Sequence, residues 1–213
     1  RFTSEELNAL QTNIIEASEK IYKIEDDLFD KIIKITLTYS DSIMKISDMI
    51  SEIDVTLSLS ELAEKNSYCK PLVDESRKFI IQQGRHPIVE NSMDNQSLGK
   101  FISNDCYLDE KLNIQLITGP NMAGKSTYLR QNALIAILAQ IGSFVPAKYA
   151  ELGIIDKLFS RVGASDDLAG GRSTFMVEMV ETSIILNQAT SKSFVIIDEI
   201  GRGTATFDGL AIA

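Results

Sequence analysis

The segment that most constrains how this chain can fold is residues 119–126, which fit the pattern G-x-x-x-x-G-K-[ST]. Glycines in such a loop let successive backbone N–H groups turn toward phosphate oxygens. A short apolar run, residues 113–118, precedes the loop, and residues 128–139, rich in helix-forming side chains, follow it. We therefore predict a buried strand, a phosphate-binding loop, and a helix whose positive dipole end faces the phosphates.

Two side chains at the end of this loop carry the predicted chemistry. The pattern places the Lys125 ammonium on the β and γ phosphates of a nucleotide and the Ser126 hydroxyl on Mg²⁺. At ordinary amino-acid frequencies, a chain of this size matches the pattern by chance less than about 1% of the time. The motif therefore indicates a nucleotide site.

A second motif supports the first. Residues 194–199 are predicted to form an apolar strand that ends in Asp198 and Glu199. In phosphate-loop ATPases the first such acid holds Mg²⁺, usually through water, and a neighbouring base orients or deprotonates the attacking water. Two acids after a core strand would alone be ordinary loop residues, but next to the phosphate loop they predict an ATPase site.

Composition limits the other possibilities. The net charge is −9 and the pI about 4.7, so a large basic surface for DNA is excluded and any DNA contact has to be local or supplied by other sequence. No apolar run approaches the roughly 20 residues of a membrane span, and no signal-peptide pattern opens the chain. Cys69 and Cys106 lack metal-ligand spacing, which favours a reducing compartment. Because the sequence starts with Arg1, we expect it to be part of a longer protein.

The first third of the chain has a helical pattern. Residues 1–70 contain no Gly or Pro, Thr3 and Glu6 have capping-box spacing, and a helix break is predicted near residues 36–40. Apolar residues then alternate in steps of three and four. The first of them are Leu7, Leu10, Ile14, Ala17, Ile21, Ile24 and Leu28. This stripe of apolar residues along one helix face suits one helix of an ordinary bundle or a rigid lever. Its length and narrowness favour the lever.

The rest of the chain alternates short strands and helices. Strands are predicted at residues 79–81, 106–108 and 157–162, and an amphipathic helix is predicted to follow Ser173. The only histidine, His86, stands beside a proline and is interpreted as a turn residue without a catalytic role.

Several motifs resemble those of the MutS DNA mismatch repair ATPases. Residues 119–131 are similar to the family's first motif, residues 173–179 to its second, and residues 198–209 to its third. Residues 84–87 and 161–168 are similar as well. The helical first part of the chain resembles the family's lever, so the resemblance covers the whole chain. It implies an α/β fold. Residues 71–213 would form a phosphate-loop NTPase domain of the ABC-ATPase type, with a mixed or parallel sheet, and residues 1–70 an all-α lever segment.

The resemblance also implies roles for individual residues. MutS proteins hydrolyse ATP with Mg²⁺ at composite sites of a dimer, so Ser173 would face the γ-phosphate bound by the partner subunit. Asn121 would help to position the γ-phosphate, and Phe101 would stack on adenine. The expected ATP-binding residues are Gly119, Pro120, Asn121, Met122, Ala123, Gly124, Lys125, Ser126, Thr127 and Phe101. The expected catalytic residues are Lys125, Ser173 and Glu199, and the expected Mg²⁺ site is Ser126 with Asp198.

The family further implies how the protein works. ATP would switch a homodimeric clamp on mismatched double-stranded DNA, held mostly through regions outside this chain, and a MutL-type repair partner would respond. The location would be cytoplasmic and nucleoid-associated. Ala205 stands where many members carry serine, and the family's fourth motif and mismatch-reading wedge are not in this sequence. A paralogue of the nuclease-associated branch, which does not read mismatches, therefore stays open as an alternative.

Overall fold

The computed structural model describes residues 4–96, 99–162, 174–201, 204 and 206–212. Within these ranges the chain is mixed α/β, with two long helices followed by strands and shorter helices, as predicted. It divides into two compact units, Arg1–Leu57 and Ser58–Ala213, and the division falls within the second helix.

The first unit contains the first long helix and the first part of the second, and hydrogen bonds between nearby residues mark where the first helix begins and ends. Helix α1 (Glu5–Thr38) begins after Ser4, whose Oγ accepts a hydrogen bond from the Leu7 N–H at 3.3 Å. The described cap is thus Ser4, whereas the predicted cap, Thr3, lies outside the described residues. Near the other end the Thr36 and Thr38 hydroxyls donate to backbone carbonyls of the preceding turn. Helix α2 (Ser40–Lys65) starts after a single turn residue, which confirms the predicted break.

The described part of the second unit contains a four-stranded and a two-stranded sheet. The first sheet consists of β1 (Leu72–Asp74), β2 (Phe79–Gly84), β3 (Asn104–Leu108) and β4 (Tyr149–Gly153), in the order β1-β4-β2-β3. Strand β4 runs parallel to β1 and antiparallel to β2, and β2 runs antiparallel to β3. The second sheet pairs β5 (Leu158–Arg161) with β6 (Phe194–Ile197) in parallel. The helices are α3 (Pro87–Gln96), α4 (Lys125–Gln140), α5 (Thr174–Gln188) and α6 (Thr206–Ile212).

A buried apolar cluster joins these elements. Ile135 of α4 lies among Ile81, Leu152 and neighbouring core residues and is fully excluded from solvent. Between the two sheets, the rings of Phe79 and Phe194 stack with their centroids 4.3 Å apart. This packing places the start of α4 close to the end of β6, where the candidate site forms.

The strand predicted at residues 113–118 is not formed. These residues pair with no strand among the described residues, and Ile114 and Leu116 are 78% and 88% exposed. Part of the segment, including Ile114 and Gln115, helps to line an open cavity of about 650 Å³, and the Tyr128 hydroxyl donates to Gln115 Oε1 at 3.1 Å. The prediction was wrong because apolar composition favours burial but cannot supply the neighbouring backbone that a strand needs for its hydrogen bonds.

Within the described ranges, no helix has the length and apolar character needed to cross a membrane.

Candidate functional site

The glycine-rich loop leads directly into helix α4. Gly124 occupies the N-cap position with φ of +91°, a left-handed conformation that favours glycine, and the helix begins at Lys125. Among the described residues, no side chain caps this N-terminus. Its first N–H groups have no partners within the helix, so they can bind an anion. The predicted helix after the loop is confirmed.

The Lys125 ammonium folds back onto the loop that precedes it. Lys125 Nζ donates to the carbonyl oxygens of Gly119 at 2.6 Å and Pro120 at 3.3 Å, and it lies 3.4 Å from Asn121 Oδ1. The loop therefore curls around a positive charge. Phosphate oxygens are stronger acceptors for an ammonium than neutral carbonyls, because a hydrogen bond between two charged groups is the stronger kind.

The end of strand β6 meets the first turn of α4. The Ser126 hydroxyl donates a hydrogen bond to Asp198 Oδ2, across 72 positions of sequence. The Asp198 N–H donates to the Arg161 carbonyl at 2.8 Å, which continues the β5–β6 pairing by one residue. A hydroxyl and a carboxylate oxygen side by side are ligands that suit Mg²⁺. The described residues contain no group of three or more His, Cys, Asp and Glu side chains that could form an all-protein cage, and Mg²⁺ characteristically uses few carboxylates together with phosphates and water.

Glu199, the residue after Asp198, lines a cavity together with residues of the glycine-rich loop. A cavity of about 400 Å³ is lined by Pro120, Asn121, Met122, Gly124, Lys125, Ser126, Thr127 and Glu199. Glu199 has φ of +60°, which is uncommon for a residue other than glycine and is found where the surroundings enforce it, often at functional sites. The structure thus places the second acid of the pair beside the loop.

Other predicted site residues are not brought to this cavity. Phe101 is half-buried and is not among the described residues that line it. Gly119 and Ala123 belong to the loop but are also absent from the lining. Ser173 lies outside the described residues, although the helix predicted to follow it is confirmed as α5.

Glu178 is a buried acid of α5 for which no role was predicted. Its side chain is only 2% exposed, and it pairs with Arg161 of β5. A signal was present in the sequence, because Glu178 and the buried Ile185 are seven residues apart and therefore share one face of α5. An acid on an apolar helix face is unexpected unless a partner neutralises it.

Burial shifts the pKa of two further side chains near α4 and α3. His86 is 6% exposed, and burial lowers its pKa, so the ring is neutral near pH 7 and its Nδ1 accepts the Val89 N–H at 3.3 Å. The His86 carbonyl also accepts the Glu90 N–H at 2.9 Å, so His86 caps the N-terminus of α3, a helix that was not predicted, and its interpretation as a turn residue was wrong. Burial also raises the pKa of Tyr128 well above its ordinary value, which keeps the hydroxyl protonated as the donor to Gln115.

The fold and the site define a mixed α/β protein in which a glycine-rich loop opens a helix beside the acidic end of a parallel strand pair. Residues 115–213 match the family model for MutS domain V. The whole chain aligns with the DNA mismatch repair protein MutS of Ehrlichia chaffeensis at 55% identity, covering 26% of that protein. It aligns with that of Roseobacter denitrificans at 56% identity, covering 25%. The chain therefore belongs to the MutS family, and it spans about a quarter of the length of these relatives.

Proposed function

We propose that this chain is the ATP-binding and ATP-hydrolysing part of a MutS mismatch repair protein. In this proposal residues 71–213 form a phosphate-loop NTPase domain of the ABC type, and residues 1–70 form a lever. The observation that carries the proposal is the meeting of three motif side chains at one cavity. Glu199 and Lys125 both line it, and Ser126, a third lining residue, is bonded to Asp198.

The loop side chains bind the nucleotide phosphates. Lys125 gives up its bonds to the loop carbonyls and donates to the β and γ phosphates, while the uncapped N-terminus of α4 adds backbone N–H donors. Asn121, whose side-chain oxygen lies beside the ammonium, helps to orient the γ-phosphate. Phe101, which is not among the residues that line the cavity, stacks on the adenine.

The two acids have separate tasks. The Ser126 hydroxyl and Asp198 would hold Mg²⁺, which would supply positive charge beside the phosphates. Glu199 orients a water molecule and accepts its proton as the water attacks the γ-phosphate. Because Asp198 points at Ser126 while Glu199 faces the cavity, metal binding and proton transfer fall on different carboxylates.

The dimer and DNA parts of the proposal rest on the family. Ser173 completes the ATP site of a partner subunit in a homodimer, and ATP turnover switches a clamp on mismatched DNA and signals to a MutL-type protein. With a net charge of −9, this chain leaves most DNA contacts to other parts of the protein. The mismatch repair proteins that it matches favour this role over the nuclease-associated branch.

Hydrolysis by the full-length protein tests the proposal. Glu199→Gln keeps the size of the side chain but removes the base, so ATP should still bind while single-turnover hydrolysis falls by about 10²-fold or more. Glu75→Gln, an exposed acid between β1 and β2, is the matched control and should leave turnover unchanged. A wild-type protein that neither binds nor hydrolyses ATP would refute the proposal, as would full activity in Glu199→Gln.

A mixing experiment tests the shared site. Ser173→Ala and Lys125→Ala should each be inactive alone, whereas their mixture should recover activity from one intact site per heterodimer. If heterodimers confirmed by mass remain inactive, the site is complete within one chain.

A further inference from the structure

A buried ion pair lies next to the candidate site without belonging to its lining. The Glu178 carboxylate of α5 is 2% exposed, and its Oε2 lies 3.8 Å from Nη2 of Arg161, a largely buried residue of β5. Arg161 also pairs through Nη1 with Glu181, one turn further along α5. Burying a carboxylate is costly unless it is paired and hydrogen-bonded, so this arrangement constrains whatever contacts it.

The second oxygen of Glu178 holds the turn that carries Glu199. Glu178 Oε1 accepts a hydrogen bond from the Gly201 N–H, two residues beyond Glu199. Gly201 has φ of +83°, and a Cβ there would come within 2.7 Å of Gly209 Cα in α6, so only glycine fits. The turn is therefore held by Glu178 and packs closely against the α6 backbone.

Arg161 closes the network from the strand side. Its carbonyl accepts the Asp198 N–H at 2.8 Å, while its guanidinium pairs with Glu178. The turn from Asp198 to Gly201 is thus attached at both ends, to the Arg161 backbone at one and to the Glu178 carboxylate at the other. Glu199 lies between these attachments in its left-handed conformation.

We propose that Glu178 is a positioning residue for Glu199, acting through the Gly201 N–H and the Arg161 guanidinium. This inference rests on the proposed ATPase function and adds to it a residue that touches neither nucleotide nor metal. Since a misplacement of about 1 Å can reduce catalysis by about 10²-fold, a loosened turn should slow hydrolysis without weakening ATP binding.

Two substitutions in the full-length protein test the role of Glu178. Glu178→Gln keeps an oxygen for the Gly201 N–H but loses the charge that faces Arg161, whereas Glu178→Ala loses both contacts. We expect kcat to fall about 10-fold in the first and about 10²-fold in the second, with the Kd for ATP within about twofold of wild type. Glu181→Gln is the matched control, because Glu181 pairs with the same arginine from α5 but is 46% exposed; its kcat should stay within about twofold.

A double mutant distinguishes an effect that acts through Glu199 from a loss of activity that is independent of Glu199. If Glu178 acts through Glu199, adding Glu178→Gln to Glu199→Gln should cause no further loss of single-turnover rate, because the base is already absent. Independent losses that multiply in the double mutant would overturn the inference, as would a raised Kd with unchanged kcat. If Glu178→Ala does not fold, Glu178→Gln and the double mutant decide.

The outcome for Glu199→Gln distinguishes the two levels of the proposal. If Glu199→Gln is inactive but Glu178→Gln hydrolyses ATP normally, only the positioning role is refuted. If Glu199→Gln itself is fully active, the proposed function fails and the positioning role fails with it.

Discussion

Replacing Lys125 with methionine removes the one side-chain cation of the loop while keeping much of the side-chain length. The ammonium lies 2.6 Å from the Gly119 carbonyl, so a phosphate oxygen bound in the loop would replace that acceptor at about 3 Å. At this distance a pair of unit charges interacts by about 5.5 kcal/mol at an effective dielectric constant of 20 and by about 1.4 kcal/mol in water.

The expected loss lies between these limits. Lys125 is half-buried, and its cavity opens to solvent. Without nucleotide its ammonium bonds to two carbonyls, and it loses these bonds, worth roughly 1 kcal/mol each, when phosphate binds. A net loss of about 3 kcal/mol corresponds to about 10²-fold in Kd. Since the charge lies at the site of the reaction, hydrolysis should be lost as well.

Equilibrium titration of the full-length protein with a fluorescent ATP analogue in Mg²⁺ buffer measures this loss. Lys148→Met is the matched control, because Lys148 is exposed and its backbone N–H, which donates to the Gln82 carbonyl, is unchanged by the substitution. The reasoning is refuted if Lys125→Met binds the analogue within twofold of wild type, or if Lys148→Met weakens binding equally.

Three further predictions concern the metal, the fold and pH. Asp198→Asn should raise the Mg²⁺ concentration for half-maximal hydrolysis by about 10-fold, and an unchanged Mg²⁺ titration would remove Asp198 from the metal site. Gly153→Ala should lower the free energy of unfolding in urea by about 3 kcal/mol, because its Cβ would lie 1.8 Å from the Ser76 carbonyl oxygen; a loss under 1 kcal/mol would contradict that packing. Burial lowers the folded-state pKa of His86, so the unfolded chain binds the proton more readily and stability should fall as pH drops below about 6.5. His86→Gln should flatten this dependence between pH 7.5 and 5.5, and an identical slope in the variant would assign the effect to other groups.

Local features of the sequence determined much of the site. The glycine loop, helix α4 and the acids after β6 follow from patterns within about ten residues, because backbone freedom, helix propensity and apolar runs act over that range. The helix break at residues 36–40 is confirmed for the same reason, since threonine hydroxyls bond back to carbonyls one turn away.

The tertiary structure decided which distant groups meet. Residues 113–118 have a strand-like composition but find no backbone partner among the described residues, and the missing partner cannot be read from the segment alone. The bond from Ser126 to Asp198 and the contacts from Glu178 to Arg161 and Gly201 join residues that are 17 to 72 positions apart. The chemistry of each side chain is local, whereas burial and pairing depend on how the rest of the chain packs around it. For this reason the sequence alone could predict Glu199 as the base, but only the fold could show that Glu178 bonds to the turn that carries it.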